Sequence, residues 1–279
     1  MKLRSLFEGG HPERIATGFQ FTEGPVWCDT ELRFSDIPVG IIYAWRPDGT
    51  ISRWREPSGH SNGLTRSRTG ALIAAEHGNR RVSMTDASGM AQTLIDRYDG
   101  KRLNSPNDVI VRSDGVVFFT DPPYGIDPAD QEQPVNGVYA VHPDGTVIRI
   151  AEDFIRPNGL ALSPDERTLY IDDSRRRHVR AFDVAPDGTL TNSRILCDLD
   201  HPQPGSPDGM KIDEAGHLYV AGATGIWVFE PDGHCLGVIA VPELPANCTF
   251  GDDDRKTLYI TARTSIYRIR TTTAGVRVV

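Results

Sequence analysis

Two stretches decide the fold. Asn107-Asp108-Val109-Ile110-Val111-Arg112-Ser113-Asp114-Gly115-Val116-Val117-Phe118-Phe119 and Asp208-Gly209-Met210-Lys211-Ile212-Asp213-Glu214-Ala215-Gly216-His217-Leu218-Tyr219-Val220 follow one plan. Each opens on an amide or acid, runs through a short β-branched strand, turns on Asp/Glu and Gly, and returns as an apolar strand. Gly and Asp in such turns supply the left-handed or side-chain-bonded conformations that a hairpin needs. The opening phrase is also found as Glu23-Gly24-Pro25, Asn62-Gly63-Leu64, Asn158-Gly159-Leu160 and Asn247-Cys248-Thr249. Its six copies stand roughly 40–50 residues apart, the period of four-stranded propeller blades.

A further strand in most copies ends in a Pro-Asp-Gly turn, at Pro47-Asp48-Gly49, Pro143-Asp144-Gly145, Pro186-Asp187-Gly188 and Pro231-Asp232-Gly233. The residues before these turns alternate apolar and polar, as in Val138-Tyr139-Ala140-Val141-His142. Period-two alternation with aromatic and β-branched residues predicts strands, and no amphipathic helix stands out. The expectation is an all-β chain folded over 1–279 as a single six-bladed β-propeller domain, four antiparallel strands per blade. A ring of blades leaves only short edges unpaired.

The 279 residues carry 30 Lys and Arg against 38 Asp and Glu, a formal charge of −8. That balance argues against nucleic acid as a partner, since phosphate binding asks for a basic face. No apolar run approaches membrane-spanning length, so no membrane partner is expected. Met1 to Gly10 does not read as a secretory signal. Cys28, Cys197, Cys235 and Cys248 are scattered with no C-x-x-C pair, which argues against zinc-finger chemistry and points to a cytoplasmic setting.

In a propeller the residue that opens each innermost strand faces the central channel. The repeat therefore gathers Glu23, Asn62, Asn107, Asn158, Asp208 and Asn247 on one axis. Two carboxylates and several amides converge with no Lys or Arg at the same position, an arrangement that a cation would relieve. Their hard oxygens favour Ca²⁺, Mg²⁺ or Mn²⁺, with Zn²⁺ also compatible with carboxylate. In isolation Asn-Gly is turn chemistry, and Pro207-Asp208-Gly209 resembles the other Pro-Asp-Gly turns. Asp208 differs from those turns in two ways: the inner-strand pattern Met210-Lys211-Ile212-Asp213 follows it, and it falls in register with Asn158. Glu23, Asn158 and Asp208 are the expected metal set. Asn62 and Asn247 are read as channel lining.

Taken in order, these phrases resemble the gluconolactonase and senescence-marker-protein (regucalcin) family, nearest its bacterial gluconolactonases. The resemblance runs from Phe21-Thr22-Glu23-Gly24-Pro25-Val26-Trp27 to Thr257-Leu258-Tyr259-Ile260-Thr261. It is most telling at Leu103–Val109, Phe119–Gly125, Arg156–Asp165 and Pro207–Lys211. It implies a hydrolase that opens a small-molecule sugar lactone with one divalent metal ion, most readily Ca²⁺. The family's metal ligands fall on Glu23, Asn158 and Asp208, with Asp208 as general base, and a family asparagine near metal and substrate falls on Asn107. A substrate-binding arginine of the regucalcin branch is replaced here by Ser105, which the resemblance makes an expected substrate contact at the mouth. Asp121 and Tyr124, on a Pro-rich loop, and His77, at a comparable place in its blade, are the expected walls of the mouth. Arg175, Arg176 and Arg177 read as a solvated face with the potential to attract an anionic sugar acid. Two other readings share the scaffold: a phosphotriesterase-like metal hydrolase and a non-catalytic calcium-binding propeller. The oligomeric state is left open.

Overall fold

The structure is a computed structural model that describes residues 2–277. It contains six four-stranded antiparallel sheets and a small hairpin of Arg97–Tyr98 with Lys101–Arg102. The sheets are the expected blades. Their innermost strands are Thr22–Cys28, Ser61–Arg66, Val109–Val111, Pro157–Leu162, Met210–Ile212 and Pro245–Gly251. In the first five blades the strands are consecutive in the chain. Helix among the described residues amounts to two 3-10 turns, Leu3–Leu6 and Pro128–Asp130.

The sixth blade closes the ring. Its inner three strands are C-terminal, Pro245–Gly251, Thr257–Ala262 and Ser265–Arg270, and its outer strand is Glu13–Thr17 from the other end of the chain. Glu13 pairs with Arg268 and Thr17 with Ser265, and the Arg268 guanidinium reaches the Glu13 carboxylate at 2.8 Å.

The core is not one mass but a wedge between each pair of adjacent blades. Val26 and Ile42 meet Leu64 and Leu72 between the first and second blades. Phe118 and Val138 meet Leu160 and Ile171 between the third and fourth. The last wedge joins Ala16 and Tyr259 to Leu32, Phe34 and Trp45 across the closure. Burial of these aliphatic and aromatic faces is what holds the ring together.

An acid ends the second strand of four blades, and in three of them it caps the chain that leads into the inner strand. Asp36 accepts the amides of Gln20 and Phe21. Asp173 accepts those of Ile155, Arg156, Arg175 and Arg176. Asp121 accepts that of Asn104 at 2.7 Å. At the same place in the second blade, Glu76 is wholly buried between Arg55 and Arg81, each at 2.7 Å. Burial pushes its carboxyl up, but bonds from Arg81, Ser83 and Asn79 and the Arg55 charge outweigh that and hold it below its ordinary value. Glu76→Ala leaves two guanidiniums facing each other and is expected to cost about 3–5 kcal/mol. Chemical denaturation measures this; a change within a few tenths of a kcal/mol would show that the cluster is unimportant to folding.

Candidate active site

Each residue of the predicted ring stands where its inner strand begins, and in four blades the strand pairing shifts register there. The shifts lie at Glu23/Val26, Ser61/Leu64, Pro157/Leu160 and Pro245/Asn247. Such bulges re-aim a side chain, here toward the axis. The glycine after the ring residue follows from crowding. A Cβ at Gly24 would run into the Asn62 carbonyl, and one at Gly159 into the Asp208 carbonyl. Neighbouring inner strands approach so closely that a side chain has no room.

At one end of the axis is a cavity of about 650 Å³ lined by Glu23, Asn62, Asn107, Asn158 and Asp208, with His77, Tyr124 and Ser174 on its walls. Arg156, Arg175, Arg177 and Arg263 also line it. Asn247 is displaced from the cavity lining; its amide donates to Glu23 at 3.2 Å and its carbonyl oxygen accepts the Cys248 amide.

The polar groups are tied to one another across blades. Asn62 Nδ2 donates to Asn107 Oδ1 at 3.0 Å and meets His77 Nε2 at 3.1 Å. Asn158 Nδ2 donates to Ser174 Oγ, which donates to the Pro207 carbonyl just ahead of Asp208. The Asn158 side chain also bonds the Asp208 carboxyl.

The electrostatics are those of buried carboxyls crowded together. Burial pushes the Glu23 carboxyl from 4.5 up to about 7; the Gly24 amide pulls it down, and the Asp108 charge pushes it further up. Asp208 is raised well above the ordinary range, first by burial and then by the Glu23 charge. Two further acids join them. Asp108 is raised by burial against the pull of Lys211, and Asp172 is raised well up by burial and then by Asp208. Asp108 Oδ2, Asp172 Oδ1 and Asn62 Oδ1 are buried without a hydrogen-bond partner. Glu23, Asn158 and Asp208 offer two carboxylates and one amide oxygen, a hard donor set that fits a divalent cation and leaves positions for water and substrate. Among the described residues no three His, Cys, Asp or Glu side chains form a ligand cluster.

Burial holds the His77 imidazole down at about 4, with the His60 charge adding to the effect. A folded-state value below the ordinary 6.5 means that the folded protein binds fewer protons between the two. The contribution of neutral His77 is therefore complete above pH 6.5 and is lost as pH falls toward 4. Urea midpoints for the wild type should decline across that window more steeply than those for His77→Gln; parallel curves would contradict it.

Of the expected mouth residues, Tyr124 and His77 line the cavity. Burial pushes the Tyr124 phenol up to about 12, keeping it protonated. Ser105 and Asp121 are elsewhere. Both are wholly buried and absent from the cavity wall. Asp121 is the third blade's version of the strand-end cap, bonding the Asn104 amide and lying near that of Ser105, so it holds the loop rather than facing the mouth. Sequence reasoning missed Asp108 and Asp172. Asp108 directly follows a ring residue, where four of the other five blades have glycine, and Asp172 is followed by the capping Asp173 on one strand.

A family model described as the SMP-30/Gluconolactonase/LRE-like region matches residues 21–264. The chain belongs to this family. Within it, the gluconolactonase of Zymomonas mobilis is 38% identical over an alignment that spans 94% of this chain and 82% of that protein. A solved gluconolactonase from Xanthomonas campestris is 36% identical, with a TM-score of 0.89 over 96% of this chain and 92% of that one. The regucalcin of Agrobacterium tumefaciens, described as a calcium-binding protein, is 17% identical with a TM-score of 0.79 over 96% of this chain and 97% of that one, a likeness in fold alone.

Proposed function

We propose that the chain hydrolyses a sugar lactone of the gluconolactone type to the aldonic acid, with one divalent ion held by Glu23, Asn158 and Asp208. The observation that carries this reading is the meeting of two carboxylates and an asparagine, from three blades, at the floor of a sugar-sized cavity. The gluconolactonase names of the relatives support the same substrate class. When bound, a divalent ion, Ca²⁺ in the first instance, supplies Lewis acidity toward the lactone carbonyl.

The protein's own groups do the rest. Asp208 takes a proton from the attacking water, whose oxygen becomes part of the new carboxylate. The ester C–O bond of the ring breaks, and the ring oxygen leaves as a hydroxyl with the proton returned from Asp208. Asn107, fixed through Asn62, holds a water or a substrate oxygen in line for attack. Tyr124 and His77, both neutral at pH 7, offer hydrogen bonds to sugar hydroxyls.

Glucono-1,5-lactone and a phosphotriester, assayed side by side with the metal-loaded protein, test the assignment. Acid release from the lactone above the spontaneous rate is expected. Turnover of the phosphotriester alone would move the same site to phosphotriester chemistry.

Among the described residues, no helix is long and apolar enough to cross a membrane.

A further inference from the structure

We infer that the preferred lactone carries a fixed negative charge on its carbon chain, away from the carbonyl that is attacked. The inference rests on the lactonase reading and adds the substrate's charge to it. Its basis is the uneven distribution of charge around the cavity.

The floor is acidic and the rim is basic. Arg156, Arg175, Arg177 and Arg263 line one mouth of a chain whose formal charge is −8. They come from different loops: Arg156 enters the fourth blade's inner strand, Arg175 and Arg177 follow its second strand, and Arg263 lies in the sixth blade's hairpin turn. Of the four, Arg177 is engaged by Asp200 at 3.0 Å. Arg156, Arg175 and Arg263 have no carboxylate partner among the described residues, and all three are exposed. Aromatic faces support two of them. The Arg156 guanidinium lies 5.5 Å from the Tyr124 ring centroid, and that of Arg263 lies 5.1 Å from Phe21. Phe21 and Tyr124 are themselves cavity walls, so these cations are held at the mouth rather than trailing into solvent.

A neutral sugar offers such a rim hydroxyl acceptors but no opposite charge. A divalent ion on the floor would answer Glu23 and Asp208, leaving Arg156, Arg175 and Arg263 without an opposite charge. A lactone bearing a phosphate, sulfonate or carboxylate satisfies both ends, its carbonyl over the floor and its anionic group among the arginines. Guanidinium forks suit all three oxyanions, and a mouth of one sign raises the capture rate of an opposite charge.

The test uses the metal-loaded full chain with three probes: D-glucono-1,5-lactone, 6-phospho-D-glucono-1,5-lactone and D-glucaro-1,4-lactone, each corrected for spontaneous hydrolysis. At low ionic strength, kcat/KM for at least one anionic lactone is expected to exceed that for the neutral one by about tenfold or more, and to fall with added salt while the neutral rate stays level. Which of the two anions leads distinguishes a phosphate group from a carboxylate. In Arg175→Gln/Arg263→Gln the anionic-to-neutral ratio should collapse toward one. Arg68→Gln, in an exposed hairpin turn far from the cavity lining, removes the same kind of charge and should leave the ratio intact. A neutral lactone turned over as well as or better than both anionic ones would overturn the inference while leaving the lactonase reading in place. An equal loss on every probe in the double variant would also overturn it. No turnover of any probe would instead reject the lactonase reading.

Discussion

Asp208→Asn should lower lactone turnover by about a thousandfold, the middle of the roughly hundred- to ten-thousandfold range that a positioned general base contributes. The substitution keeps the shape of the side chain and leaves intact the backbone bond from the Asp208 amide to the Ala221 carbonyl. It removes the group that accepts the water's proton, and one of the two anionic donors on the floor. The fold should tolerate the change well. The carboxyl is raised by burial and by Glu23, so in the metal-free protein a neutral amide relieves repulsion rather than creating it. The variant is thus expected to be at least as stable as the wild type without metal, yet inactive with it. A pH-stat rate and a thermal melt on the same sample check both halves. Near-normal turnover would remove Asp208 from the mechanism.

Removal of residues 1–17 should cost on the order of 5 kcal/mol, although no described residue among them lines the cavity. Full burial of a Leu side chain alone is worth about 1.5–3 kcal/mol, and Leu6 is packed into the wedge between the fifth and sixth blades. Ala16 and the half-buried Ile15 belong to the wedge between the sixth blade and the first. Without them the Ser265–Arg270 strand becomes an open edge and the wedge that closes the ring is thinned. At ~2–4 °C per kcal/mol, the loss corresponds to a fall of roughly 10–20 °C in Tm. Differential scanning calorimetry of the truncated chain reads it directly. An unchanged Tm would mean that the strand is an ornament rather than the closure.

Much of this architecture was legible because it is written locally. Pro-Asp-Gly and Asp-Gly turns encode hairpins within a few residues, and the recurring Asn-Gly phrase keeps register with the inner strands. The axial ring followed from that register alone, and Glu23, Asn62, Asn107, Asn158 and Asp208 do share one cavity. What the chain hides is non-local. The partner of Glu13–Thr17 lies at the far end of the sequence, and five residues carry no signal of a pairing that distant. Asp121 misled because an acid after a strand reads alike whether it faces a channel or caps a loop. The difference shows only beside Asp36 and Asp173, which do the same work in other blades. The arginine rim was visible in part as the triplet from Arg175 to Arg177. The structure turns Arg175 and Arg177 to the cavity, engages Arg176 with Asp173, and adds Arg156 and Arg263 from other loops.

The most direct test of the central claim is to strip the protein with a chelator and follow acid release from glucono-1,5-lactone in a pH-stat. Ca²⁺, Mg²⁺, Mn²⁺ and Zn²⁺ are then restored one at a time, with spontaneous hydrolysis subtracted. The stripped protein should show no turnover above background, at least one hard divalent ion should restore it, and Glu23→Gln should not recover at the same ion concentration. Full turnover in verifiably metal-free protein would contradict the claim.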